Sequence, residues 1–285
     1  MSEWNLKDHR KMIYHHMLDE IMFHEDDIDT LREKLVEKFR IDKLDEREIN
    51  RLFGAEVDTV YMREFWEKRA QTHKINEGLT NLEDDAELLK LKIQKETPKM
   101  KAYVEPDKST KLLDLGSGYG TWSFAFAKDV ELVHAVDYIE DMIKIGRERA
   151  KDEGITNIEF FQSSVQEYTS DVKYDTIILS GICLYLNDTD MRQMLKKMQK
   201  YSKEGTAIIL RDSTGLKERY IIEKEYSDRL KTMYSATYRT KEEYIKLFEK
   251  AGFELIKDED MFEAGSQLNR HKETRLRIYK FRRIQ

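Results

Sequence analysis

The chain has 285 residues, 40% of them hydrophobic, enough for one large core with an extension attached. Charged residues reach 37% and the net charge is −6, a balance that argues against a general binder of phosphate backbones. The single cysteine, Cys183, excludes a disulfide framework and a cysteine zinc cluster, no apolar run is long enough to span a bilayer, and no signal-peptide pattern opens the chain. A soluble, cytoplasmic protein is the expectation.

The first hundred residues read as helices. "HRKMIYHHMLDEIMF" and "IDTLREKLVEKFRI" repeat apolar residues at three-and-four spacing. His16, Glu20 and His24 fall on one face of the first, but no further ligand accompanies them, so no metal site is expected. "VDTVYMREFWEKRAQTH" predicts another amphipathic helix. "LTNLEDDAELLKLKIQKET" predicts one with cap residues at Thr80 and Asn81 that stops near Pro98. Residues 1–104 therefore read as a helical extension, a lid or an oligomerisation element.

From residue 105 the pattern changes. The short apolar runs "KLLDLG", "LVHAVD", "IEFFQSS", "YDTIILS" and "TAIILRD" alternate with helix-like stretches at 120–128, 139–152 and 188–202. That alternation predicts an α/β fold, a doubly wound and mostly parallel sheet covered by helices on both faces. A tyrosine-bearing segment, 213–239, follows, then a helix at 240–251. Two alternating runs, "FELIKDEDMF" and "TRLRIYKFRR", predict a closing antiparallel pair.

The strongest local signal is "LLDLGSGYGTW", a buried strand running into a turn with Gly116, Gly118 and Gly120. A dinucleotide fingerprint needs G-x-G-x-x-G, but Thr121 stands where its third glycine would fall, and the lysine of a phosphate-binding P-loop is missing. Asp114 would repel a pyrophosphate but suits an ammonium or a sulfonium. Asp137 ends the second strand, where a carboxylate can accept from both hydroxyls of a ribose. The two carboxylates suit a nucleoside with a positively charged amino-acid end.

In order and spacing, "LLDLGSGYGTW", "VHAVDYIEDMI", "FFQSSVQEY" and "YDTIILSGICLYLND" resemble the successive signature segments of class I S-adenosylmethionine-dependent methyltransferases, over roughly residues 105–283. The resemblance implies a Rossmann-like methyltransferase fold, with a seven-stranded sheet in the order 3-2-1-4-5-7-6 and S-adenosylmethionine as cofactor. It places Gly116, Gly118 and Gly120 beneath the methionine part, Asp114 toward its ammonium, Asp137 on the ribose and Tyr138 against the adenine. Ser164 stands where the family often has Asp, and Val165 would offer its backbone NH beside it. Ser180 and Gly181 would face the reactive end. By the same resemblance Trp66 and Arg69 fold back over the methionine, with Arg69 at its carboxylate.

For the methyl acceptor, "SGICLYL" lacks the Pro-Pro-aromatic run of nucleic-acid amino-methyltransferases. Cys183 lacks the preceding proline of cytosine-C5 enzymes and reads as a small buried residue. "SGICLYLND" instead resembles the loop of methyltransferases acting on small molecules, sugars and protein N-termini. His73, Tyr185 and Asp212 are the candidate catalytic residues, and Arg211, Tyr234 and Tyr238 the candidate substrate contacts. Segment 213–239 occupies the position of a substrate cap; packing on the core or a homodimer contact is its alternative use. A tyrosine-lined pocket suits a sugar face or a cationic amine. Methyl transfer to O or N of a small molecule, a sugar or saccharide-linked group among the candidates, is the expectation, with no membrane or nucleic-acid partner. A protein or tRNA acceptor, or a catalytically inactive binding subunit, are the alternatives.

Overall fold

The apolar runs after residue 105 become the strands of one sheet. In a computed structural model, which describes residues 57–72, 82–83, 85–228 and 230–284, they form β1 (Lys111–Leu115), β2 (Leu132–Asp137), β3 (Ile158–Gln162), β4 (Tyr174–Ser180) and β5 (Ser202–Gly215). The closing pair is β8 (Phe253–Asp260) and β9 (Thr274–Arg283). The sheet order is β3-β2-β1-β4-β5-β9-β8, with the first five strands parallel and β9 antiparallel to both neighbours. Once two inserted strands, β6 (Tyr220–Ser227) and β7 (Thr232–Tyr238), are counted, this is the expected seven-stranded order.

β1 and β4 are buried along nearly their whole length because helices cover both faces, and the pleat sends neighbours to opposite sides. Leu113, Ile177 and Ile208 join one core layer, packed by Met191, Met194, Leu195 and Met198 of α5 (Asp188–Tyr201) and Phe248 of α6 (Lys241–Lys250). Leu112, Ile178 and Ile209 join the other, with Phe126 of α3 (Thr121–Ala127) and Ile143 of α4 (Glu140–Asp152).

Helix α2 (Ala86–Val104) departs from expectation at both ends. Its cap is Asp85, whose carboxylate accepts from the backbone NH groups of Glu87 and Leu88 at 3.0 Å each. The helix also does not stop near Pro98 but carries it internally and runs on for another turn and a half. A helical proline costs about 3 kcal/mol. Met100, Tyr103 and Val104 lie beyond it and are buried in the sheet core, each contributing about 1.5–3 kcal/mol, so packing outweighs the break.

Helix α1 (Thr59–Thr72) lies across the carboxyl edge of the sheet. Met62 packs with Leu184, Tyr234 and Ala236, whereas Ala70 packs with Tyr119, Ile139 and Met142. Of the remaining segment, 213–239, the first three residues continue β5 alongside β9, and the rest is neither a helix nor part of the main sheet. After Gly215 it forms an antiparallel hairpin, β6 (Tyr220–Ser227) and β7 (Thr232–Tyr238), which is a separate two-stranded sheet. A single bridge between Gly215 and Thr240 closes its base. There Arg239 is wholly buried and donates to the Asp188 carboxylate and to the carbonyls of Cys183 and Leu186. Desolvation pushes the Asp188 carboxyl up, but Arg239, Arg219 and Arg192 together hold it well below the usual carboxylate range. No helix among the described residues is long and apolar enough to cross a membrane. The helices expected before residue 57, with His16, Glu20 and His24, lie outside the described residues.

Candidate active site

The register of the parallel strands brings their carboxyl ends to one edge. Leu115 pairs with Val136 and Leu179, and Ser180 pairs with Arg211. Strand order reverses between β1 and β4, the place where open α/β sheets hold ligands. A cavity of about 610 Å³ opens there, a size typical of small-molecule sites.

The glycine turn forms the donor end. The NH groups of Gly116 and Ser117 both donate to the Val136 carbonyl, at 2.8 and 2.9 Å, which folds the chain sharply off β1. Gly116 has φ +80°, and a β-carbon there would meet Ile182 at 2.8 Å; Gly120 caps α3 with φ +94°. Asp114 lies beneath the turn and accepts from the Ser123 NH (3.1 Å) and hydroxyl (2.7 Å), which fixes the start of α3. Asp137 accepts from the Gly118 NH (2.8 Å) and the Ile139 NH (2.9 Å). Each of its oxygens keeps a further lone pair for a ligand. Burial pushes both carboxyls up to about 6: the Ser123 bonds offset this in part for Asp114, and the backbone amides of Ile139, Gly118 and Tyr138 do so for Asp137. The Thr121 hydroxyl, also on the cavity wall, is buried without a hydrogen-bond partner. A cradle that admits no β-carbon, an acceptor carboxylate with spare lone pairs and an orphaned hydroxyl all fit S-adenosylmethionine.

Aromatic side chains form the other end. Trp66, Tyr185, Tyr234 and Tyr238 line it. Tyr185 sits on the short 3₁₀ turn Cys183–Tyr185 after β4, and its hydroxyl pairs with that of Tyr234 at 2.9 Å. Its ring meets those of Trp66 and Tyr234 edge-on, with centroids 5.7 and 6.1 Å away. Below them, the wholly buried Asp212 accepts from the Leu184 NH (3.1 Å), the Ser213 NH (2.9 Å) and the Tyr244 hydroxyl (3.3 Å). Burial raises it to about 7, against the opposing pull of the Ser213 NH, Arg211, Tyr244 and Arg239.

Of the residues singled out from sequence, Trp66, Asp114, Gly116, Gly118, Asp137, Tyr138, Ser180, Tyr185, Arg211, Asp212, Tyr234 and Tyr238 all border this cavity. Gly120 shapes the turn from behind. Arg69 is buried in α1 and does not line the cavity, and Val165 is packed in the core. The Ser164 hydroxyl bonds Glu167 in a local turn. His73 lies outside the described residues. Two assignments take a different form in the structure. Arg211, expected to meet an anionic substrate, is held by Glu96 of α2 through Nε and Nη2 at 2.6–3.2 Å. Asp212, expected to meet substrate directly, has its carboxylate engaged by protein donors under the floor. Glu96 is the residue sequence reasoning missed: nothing local marks a helix glutamate as the partner of a strand arginine. Ser180 completes this corner by accepting from Trp122 Nε1 at 2.9 Å and Arg211 Nη1 at 3.4 Å.

Comparison with known proteins agrees with this geometry. Residues 106–252 match the family model described as a methyltransferase domain. Phosphoethanolamine N-methyltransferase 3 of Arabidopsis thaliana is 29% identical over 175 residues, 59% of this chain but 32% of that protein, so the chain spans about a third of the length of that relative. The demethylmenaquinone methyltransferase of Listeria welshimeri is 28% identical over 156 residues, 52% of this chain and 64% of that protein. Among solved structures, the Haemonchus contortus phosphoethanolamine N-methyltransferase 1, in complex with phosphoethanolamine and S-adenosylhomocysteine, aligns with a TM-score of 0.62 at 17% identity, covering 79% of this chain and 49% of that one. The Burkholderia thailandensis 1,6-didemethyltoxoflavin-N1-methyltransferase, with S-adenosylhomocysteine bound, aligns at 0.59 and 14% identity over 79% of this chain and 88% of that one. These structural likenesses, at such low identity, speak for the fold. With a model match over half the chain and a cradle suited to S-adenosylmethionine, the chain belongs to the S-adenosylmethionine-dependent methyltransferase domain family.

Proposed function

We propose that this protein transfers the methyl group of S-adenosylmethionine to an oxygen or nitrogen of a small molecule. The observation that carries the reading is the continuity of one cavity, from the Asp137 cradle to the aromatic pocket of Trp66, Tyr185, Tyr234 and Tyr238. Bound there, the cofactor supplies a methyl group on a positively charged sulfur. The chain's own part is alignment, since displacement needs donor and acceptor in line at close range. The glycine turn and Asp137 hold the nucleoside end, the rings exclude water, and Asp212 fixes the turn that carries Tyr185. Helix α1 acts as the lid and the β6–β7 hairpin as the cap. His73, next in the chain after α1, is the candidate base for a hydroxyl acceptor.

The relatives named for phosphoethanolamine, demethylmenaquinone and a toxoflavin precursor support a small acceptor. A saccharide-linked acceptor is a second reading, supported by the tyrosine faces, against which a sugar ring stacks. The cytoplasmic site of action expected from the sequence belongs to this proposal. The test is calorimetric titration with S-adenosylhomocysteine, followed by labelled methyl transfer into cell extract split into small-molecule, protein and RNA fractions. Micromolar binding and label in the small-molecule fraction are expected. Label confined to protein or RNA, or binding with no transfer, overturns the reading.

A further inference from the structure

The acceptor end has an unusual charge arrangement. Asp212 is a buried carboxylate whose three donors, the Leu184 and Ser213 amides and the Tyr244 hydroxyl, are all uncharged. The two guanidinium groups whose charge it feels are committed elsewhere. Arg211 is held by Glu96, and Arg239 by Asp188 and two carbonyls. Around and above it stand aromatic rings at steep angles: Trp66 to Tyr185 at 80°, Tyr185 to Tyr234 at 87°, and Phe65 to Trp66 at 82°. In such packing the edge of one ring meets the electron-rich face of the next, and Trp66, Tyr185, Tyr234 and Tyr238 all line the one cavity. The hydroxyls of Tyr185 and Tyr234 are paired with each other, which leaves fewer polar groups for the diols of a sugar.

We infer that this pocket takes its acceptor as an organic amine, the nitrogen held among Trp66, Tyr185, Tyr234 and Tyr238 over the Asp212 carboxylate. The inference rests on the methyltransferase reading and narrows it to one substrate class. A basic amine gives its excess proton to solvent before reaction. Its lone pair then forms the N–C bond as the C–S bond breaks, with the C–S electrons returning to sulfur and positive charge appearing on nitrogen. Aromatic faces and a buried carboxylate favour that charge where it develops.

The test compares choline with its uncharged isostere 3,3-dimethylbutan-1-ol by calorimetry, with and without saturating S-adenosylhomocysteine. The cation is expected to bind at least about tenfold more tightly. Tyr185→Leu and Asp212→Asn should each remove most of that preference, whereas Tyr185→Phe, which keeps the ring, should keep it. Tyr234→Leu serves as a second probe should Asp212→Asn fail to fold. Equal affinity for the two probes, absence of choline binding, or a preference that survives both Tyr185→Leu and Tyr234→Leu overturns the inference. Choline preference without S-adenosylhomocysteine binding would instead refute the methyltransferase reading and leave the cation pocket standing.

Discussion

At the donor end of the cavity the ligand surface is mostly main chain: a turn of three glycines folded off β1, and two carboxylates whose first task is to hold backbone amides. At the acceptor end it is mostly side chain, with rings from α1, the 183–185 turn and β7 meeting over a carboxylate from β5. A main-chain surface depends on the dihedral angles of a few consecutive residues, so it tolerates almost no substitution. A side-chain surface depends on the docking of separate elements, so it tolerates change within an element but fails when the docking fails.

That contrast can be tested from its most severe consequence downward. Arg239→Ala removes the clamp at the base of the hairpin and leaves Asp188 buried without its main partner. Unfolding in denaturant should show a loss of about 3–5 kcal/mol. A loss below about 1 kcal/mol would mean that the hairpin is held by something else. Gly116→Ala places a β-carbon 2.8 Å from Ile182 on a residue at φ +80°, which adds strain of about 1–3 kcal/mol. S-adenosylhomocysteine affinity should fall at least about tenfold, while choline binding, read by the same titration, changes far less.

Acidity separates the two ends again. Burial puts the Asp137 carboxyl at about 6, and only its ionised form offers all its lone pairs to a ribose. Cofactor affinity should therefore weaken by about tenfold per pH unit below 6, with a shallower profile in Asp137→Asn. For the unliganded fold the sign is opposite. Asp114 and Asp137 hold their protons more tightly when folded, so their contribution to stability grows as pH falls from about 6 toward the ordinary value of 3.8. Asp188, held low by its arginines, contributes stability that is present above its ordinary value and is lost as pH falls through its lowered one. The smallest effect expected is that of Tyr185→Phe. Losing the hydroxyl pair with Tyr234 costs about 1 kcal/mol, a drop of about 2–4 °C in Tm, with S-adenosylhomocysteine affinity unchanged within about twofold.

The same contrast explains how much was legible in the sequence. The five parallel strands and the donor end could be read because each is a local pattern, an apolar run, a glycine spacing or an acidic strand end; the strand order followed only from the family resemblance those patterns carry. Helix α2 was misjudged at Pro98 because a proline's cost is local, whereas the burial of Met100 and Tyr103 that outweighs it is tertiary. In segment 213–239 the tyrosines give no spacing that fixes a hairpin, and its first three residues belong to β5. The Glu96–Arg211 pair and the uncharged shell around Asp212 arise only when distant segments dock, and no spacing announces them.

The hairpin stretch is fastened at its base by the Gly215–Thr240 bridge, by Arg239 on Asp188 and by Arg219 on Asp188 and Glu243, and higher up by Tyr234 and Ala236 packed with Leu184; it carries two of the four rings of the acceptor pocket. Residues 216–238 thus form a faceplate over the acceptor end: the Asp137 cradle and the glycine turn lie outside them, so exchanging the stretch is expected to change the guest and spare the donor end. A graft of the corresponding stretch between two relatives is then a route to new acceptors, provided that Arg239 and Asp188 travel together.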